Sequence, residues 1–158
     1  GGKNMRVTKH IEFETAHLLP GYDGGCGNLH GHSYKLEVTV QGPQNDGWGM
    51  VIDFKKLKKC MEEIVPDHRY IYNAKEPSEI EKDIVEVLKK HDIKYQGMPF
   101  DTTAENMVRY FAEMIEQSLQ NNYGYPGVKV VEAKLWETSN SYATYIAPEQ
   151  LSLFEEEK

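Results

Sequence analysis

Long apolar runs are missing from this 158-residue sequence: none approaches the roughly 20 residues of a membrane-spanning helix, so no membrane partner is expected. Gly1-Gly2-Lys3-Asn4-Met5 has none of the apolar stretch of a secretion signal, which points to a cytoplasmic protein. Positive charge is in the minority, 18 Lys and Arg against 25 Asp and Glu, and the formal net charge is −7. No basic stripe stands out, so nucleic acid is not an expected partner, although a small pocket can still be locally basic and take an anionic substrate. Cysteine is scarce: Cys26 lies in a glycine-rich loop and Cys60 in a helical pattern, and both read as reduced thiols. Repeats, low-complexity stretches and linkers are absent. One domain over residues 5–148 follows, with residues 1–4 a cloning remnant or disordered N-terminus and 149–158 an acidic tail ending in Glu155-Glu156-Glu157. What remains, 39% hydrophobic and 27% charged, suits a soluble globular core.

The hydrophobic pattern gives the order of elements. From Arg6 to His17 the residues alternate, Ile11, Phe13, Thr15 and His17 on one face and Glu12 and Glu14 on the other. A loop follows, marked by Gly21, Gly24, Gly25 and Gly27. Alternation resumes at His30, with His32, Tyr34, Leu36, Val38 and Val40 on its face and Ser33, Lys35, Glu37, Thr39 and Gln41 opposite, a half-buried antiparallel strand. Asp53 caps a helix with Phe54, Leu57, Met61 and Ile64 as its stripe, stopped by Pro66. Ser78 with Glu81 and Thr102 with Glu105 have capping-box spacing and open two further helices. Strands over 128–137 and about 142–146 end the chain. The expected fold is α+β: an antiparallel four-stranded sheet with helices on one face and open edges that a closed ring of subunits would remove.

His30-Gly31-His32 carries the strongest local signal. Residues two apart on a strand point the same way, about 7 Å apart, so two imidazoles can converge on one ion. His17 ends the preceding strand on the core face, and a hairpin would bring it alongside. Three neutral imidazoles without an obvious fourth protein ligand suit a catalytic zinc ion with an open position. Cys26 is a candidate fourth ligand, a nucleophile or base near the ion, or an inert small residue; Cys60, beside a helical stripe, is packing. Asp67-His68 follows the Pro66 stop in a loop, where an aspartate can orient a proton-shuttling histidine. Glu137 continues the apolar row Val131, Ala133, Leu135, so its carboxylate either reaches solvent or takes two adjacent N–H donors of a heterocycle edge. Glu105 is accounted for by its capping-box spacing.

Together these residues resemble one family. Glu12-Phe13-Glu14-Thr15-Ala16-His17-Leu18-Leu19-Pro20 resembles its first strand motif, and Cys26-Gly27-Asn28-Leu29-His30-Gly31-His32 its C-x-x-L-H-G-H signature. Gly49-Met50-Val51-Ile52-Asp53-Phe54, Asp67-His68, Thr103-Ala104-Glu105-Asn106 and Leu135-Trp136-Glu137-Thr138 follow in the family's order. The sequence is similar, across almost its whole length, to the 6-pyruvoyl-tetrahydropterin synthase/6-carboxytetrahydropterin synthase family. The resemblance implies a T-fold, trimers whose sheets close into a barrel, stacked as hexamers, and active sites at subunit interfaces. It implies zinc on His17, His30 and His32, Cys26 as the proton-abstracting residue, Asp67 and His68 as the acid/base pair, and Glu137 as the pterin anchor. The implied substrate is 7,8-dihydroneopterin triphosphate. The Trp136-Glu137-Thr138-Ser139-Asn140-Ser141-Tyr142-Ala143 ending resembles the queuosine-pathway branch, which makes 6-carboxytetrahydropterin and acetaldehyde; the rival branch keeps all three side-chain carbons as 6-pyruvoyltetrahydropterin. A non-enzymatic zinc- and pterin-binding module, its site closed by Cys26, is the rival of a different class.

The sequence departs from the family at two places. Pro66 replaces the usual leucine before Asp67-His68, and Asn73 stands one residue late, which leaves its role open. The segment from Ala74 to Gly97 is longer than in compact members and reads as a peripheral insertion.

Overall fold

The computed structural model describes residues 4–44 and 47–149. Two long strands organise it: β1 (Asn4–His17) and β2 (His30–Pro43) pair antiparallel over their whole length, Asn4 opposite Pro43 and His17 opposite His30. Their shared alternation explains that register, because a slip by one residue would turn either Phe13 or Tyr34 and Leu36 out to water. Helix α1 (Phe54–Ile64) is capped by Asp53, whose side chain accepts from the Lys55 N–H. After it come β3 (Arg69–Asn73), α2 (Glu79–Lys90), β4 (Tyr95–Met98), α3 (Ala104–Asn122), β5 (Lys129–Thr138) and β6 (Ser141–Ile146). The sheet order is β4-β3-β1-β2-β5-β6.

The sheet is therefore six-stranded and mixed, not a four-stranded antiparallel one. The four expected strands are antiparallel neighbours, and two short ones extend the sheet in parallel, β3 against β1 and β4 against β3. The segment 74–97 is thus more than a peripheral insertion, since Tyr95 to Gly97 pair with Tyr70 to Tyr72. Asn4, read as part of a remnant, opens β1. Of the expected tail only Glu149 is described, paired with Lys129 at 3.8 Å; residues 1–3 and 150–158 lie outside the described residues.

Helices α1 and α3 pack against each other and cover one face of the sheet. The core between them is dense in aromatics: Phe13 stacks on Tyr34 with centroids 5.1 Å apart, and Phe111 of α3 meets Phe13 edge-on at 5.8 Å. Cys60 is buried here, its thiol facing the Ile115 carbonyl oxygen, as packing requires. Both cysteines are free. Among the described residues no helix is long and apolar enough to cross a membrane.

Candidate metal centre and its surroundings

The closed end of the β1–β2 hairpin gathers the three histidines. Strand parity points all of them to the helix-covered face, and the register sets His17 across from His30 and Thr15 across from His32. Their rings lie 4.7 Å (His17–His30), 5.3 Å (His17–His32) and 4.8 Å (His30–His32) apart, and one ligand atom from each falls within 4.8 Å of the others. Parity turns Gly31, between the two imidazoles in sequence, to the opposite face. A Cβ there would press on the Thr15 carbonyl oxygen of β1 at 3.2 Å.

The hydrogen bonds around the cluster decide which nitrogens face inward. His17 Nδ1 lies 3.0 Å from the Thr102 carbonyl oxygen and 3.0 Å from the Thr102 hydroxyl. A carbonyl can only accept, so Nδ1 carries the proton and Nε2 is left with its lone pair. His30 repeats the arrangement, with Nδ1 2.7 Å from the Asn28 carbonyl oxygen. His17 Nε2 is buried and has no hydrogen-bond partner. A buried bare lone pair is costly unless something fills it, and a cation with nitrogen ligands would do so; the three histidines could hold a metal ion. Burial, then the neighbouring His30 and His32, lower the His17 pKa to about 4. Burial also lowers that of His32, with Glu137 opposing. Both imidazoles thus favour the neutral, ligating form.

Two clefts meet at Gly31, His32 and Ser33. The larger, about 540 Å³, runs towards Lys35, Trp136 and half-buried Glu137. The Lys35 ammonium lies 4.4 Å from the centre of the Trp136 ring, which packs on Tyr142 at 4.1 Å. Cys26 sits exposed in a short 3₁₀ turn (Gly25–Gly27) of the loop joining the histidine strands, and its carbonyl accepts from the Leu19 N–H. Cys26 stands outside the group of mutually close ligand atoms. Burial, then the neighbouring Glu137 and Cys26, push the Tyr34 phenol above its ordinary range. The Tyr34 hydroxyl is buried without a partner.

The other cleft, about 450 Å³, is bounded by His32, His68, Arg69 and Lys94. Asp67 and His68 occupy a turn before β3. Asp67 Oδ1 accepts from the Glu14 N–H at 2.9 Å and lies 2.9 Å from His68 Nδ1, and the His68 N–H donates to the Glu14 carbonyl at 2.6 Å. His68 has φ of 56°, a left-handed conformation unusual for a side-chain-bearing residue, which this double tie to β1 holds in place. The imidazole itself projects outward, 76% exposed.

The start of α3 differs from its sequence reading. Thr103, not Thr102, is the N-cap, accepting from the Asn106 N–H at 3.2 Å. Thr102 is buried against His17, and Glu105 belongs to no capping box: it lies exposed in the first turn, where its charge suits the positive helix end. Sequence reasoning missed Thr102 as the partner of His17. The doubled threonine before Ala104 was the available signal, since only one of the two can cap.

The fold matches that of a known pterin synthase. The solved structure of 6-pyruvoyl tetrahydropterin synthase from Caenorhabditis elegans superposes with a TM-score of 0.64 over 92% of this chain and 97% of that one, at 24% identity. Residues 6–148 match the model of the 6-pyruvoyl tetrahydropterin synthase family, and the chain belongs to that family. Among its relatives are the 6-carboxy-5,6,7,8-tetrahydropterin synthases of Haemophilus influenzae, 36% identical over 89% of this chain and 98% of the relative, and of Aquifex aeolicus, 37% identical over 76% and 75%.

Proposed function

We propose that this chain is a zinc-dependent 6-carboxytetrahydropterin synthase, converting 7,8-dihydroneopterin triphosphate to 6-carboxytetrahydropterin with release of acetaldehyde and triphosphate, on the route to queuosine. The observation that carries the metal is the buried, unpartnered Nε2 of His17 facing His30 and His32. The relatives named for this activity support the choice of product.

His17, His30 and His32 would hold the zinc ion, which when bound supplies Lewis-acid polarisation of the substrate's side-chain hydroxyls. Glu137, at the end of an otherwise apolar row, takes the paired N–H donors of the pterin edge; its charge already reaches His32, so an anchored ring lies beside the histidines. Cys26, exposed on its turn, accepts and returns a proton at Sγ. His68 is the second proton carrier: Asp67 takes its Nδ1–H at 2.9 Å and leaves Nε2 free to exchange a proton. The outward-facing His68 and the edge strands β4 and β6 suit a site completed between subunits in a trimer-based ring, doubled to a hexamer.

Product analysis by mass spectrometry, with zinc-loaded protein and 7,8-dihydroneopterin triphosphate, tests this reading. The expected products are 6-carboxytetrahydropterin and acetaldehyde. A three-carbon pyruvoyl product would move the chain to the other branch with the same site. Cys26→Ala is expected to keep zinc and lose turnover; loss of zinc instead would mark a thiolate-closed binding module.

A further inference from the structure

Asn73 is the last residue of β3, and it is 9% exposed. Its Oδ1 accepts the N–H groups of Lys75 and Glu76, both at 3.0 Å, which closes the turn leaving the strand. Its Nδ2 donates to Asp101 Oδ1 at 2.9 Å, and its backbone N–H donates to Glu81 Oε2 at 3.3 Å. Glu81 is 2% exposed, a carboxylate that would be costly to bury without donors. They are present: its Oε1 accepts from the Ser78 N–H and hydroxyl, both at 3.0 Å.

Asp101 carries the path onward. Its carbonyl accepts from the Thr103 N–H at 2.8 Å and from Asn106 Nδ2 at 3.0 Å, so α3 grips it from one side while Asn73 grips its carboxylate from the other. The next residue is Thr102, whose carbonyl sets the proton on His17 Nδ1. Every donor and acceptor named on Asn73 is therefore used, and the only links from the turn to the histidine cluster in this path run through Asp101 and Thr102.

We propose that Asn73, held by Glu81, is a positioning residue of the metal centre: through Asp101 it fixes the Thr102 carbonyl, and so keeps His17 in the Nδ1–H form with Nε2 presented to the ion. The proposal rests on the three-histidine metal reading. It gives the 74–97 segment a function, since the capping box of α2 becomes the outermost support of a zinc ligand.

An asparagine that only closed a turn would affect folding alone, and the variants separate the two roles. Asn73→Asp keeps an acceptor for Lys75 and Glu76 but sets two carboxylates against each other at Asp101. Asp101→Ala removes the acceptor at an exposed position, with little risk to folding. Asn73→Asp combined with Asp101→Asn restores a hydrogen bond of reversed direction. Zinc affinity is read by competition with a chromophoric chelator, and the His17 tautomer in the metal-free chain by long-range ¹H–¹⁵N NMR. Each single variant is expected to weaken zinc binding severalfold, less than the about 10–100-fold of losing a ligand's direct outer-shell partner. Each should also reduce the Nδ1–H form of His17, and the double variant should recover most of both. Unchanged zinc affinity and tautomer in folded Asp101→Ala would overturn the proposal, as would a folded double variant that recovers neither. If the wild-type chain takes up no zinc, the metal reading fails, and the tautomer of His17 in Asp101→Ala still decides the positioning role.

Discussion

Helices α2 and α3 carry the same kind of pattern and lead different lives. Both repeat apolar residues at helical spacing, Ile80, Ile84, Val87 and Leu88 in one and Met107, Val108, Phe111, Ile115 and Leu119 in the other. Yet α3 buries seven residues, all in the core or at its edge, while the single buried residue of α2 is Glu81. Ile80 and Val87 are more than half exposed. An amphipathic stripe shows that a helix has an apolar face, not that its own chain covers it. α3 is held by apolar burial and α2 by directed polar bonds at its first turn, the box of Ser78 and Glu81 and the tie to Asn73. The two N-termini then serve one site, α3 following Thr102 and α2 supporting Asn73.

Substitutions should pull this contrast apart in a graded way. Phe111→Ala removes a fully buried ring packed edge-on against Phe13 and should cost about 3–5 kcal/mol, read as the midpoint of guanidinium unfolding. A loss below about 1 kcal/mol would mean that α3 is not the apolar anchor. Glu81→Ala comes next. It leaves the N–H groups of Asn73 and Ser78 without their acceptor and should cost about 2–3 kcal/mol, far more than any apolar truncation on the same helix.

A smaller effect is expected at the cluster both helices serve. Folded His17 stays neutral down to about pH 4, whereas an unfolded histidine protonates near 6.5. Between those values the unfolded state binds the extra proton, so stability falls as the pH falls. With a chelator present, the chain should lose about 1–2 kcal/mol from about pH 7 to about pH 5. His17→Gln should flatten that slope, and an equal slope in the variant would assign the acid sensitivity elsewhere. Val87→Ser is the mildest change. At an exposed site it should move stability by less than about 0.5 kcal/mol, and a larger loss at high protein concentration alone would reveal a second copy covering α2.

The histidine cluster was legible because strand parity and a hairpin are local rules: a period of two puts His30 and His32 on one face, and the matching patterns of β1 and β2 admit one register. The caps of α1 and α2 were equally local, Asp53 and Ser78 lying where the apolar periodicity begins. The short strands β3 and β4 were not. Each is five residues or fewer, and their parallel pairings join segments far apart in sequence, for which no turn gives a signal. The cap of α3 was misplaced by one residue because Thr102 and Thr103 are interchangeable as caps until His17 claims one of them.

The sequence by itself determined the alternating strands, the amphipathic helices and which side of β1 and β2 faces the core, since these depend on residues a few positions apart. Only the tertiary structure decided the tautomer of His17, the burial of Glu81 and the link from Asn73 to Thr102. The first and the last depend on a hydrogen bond across 85 positions in the chain and another across 28, and no local periodicity encodes which distant carbonyl a buried imidazole will meet.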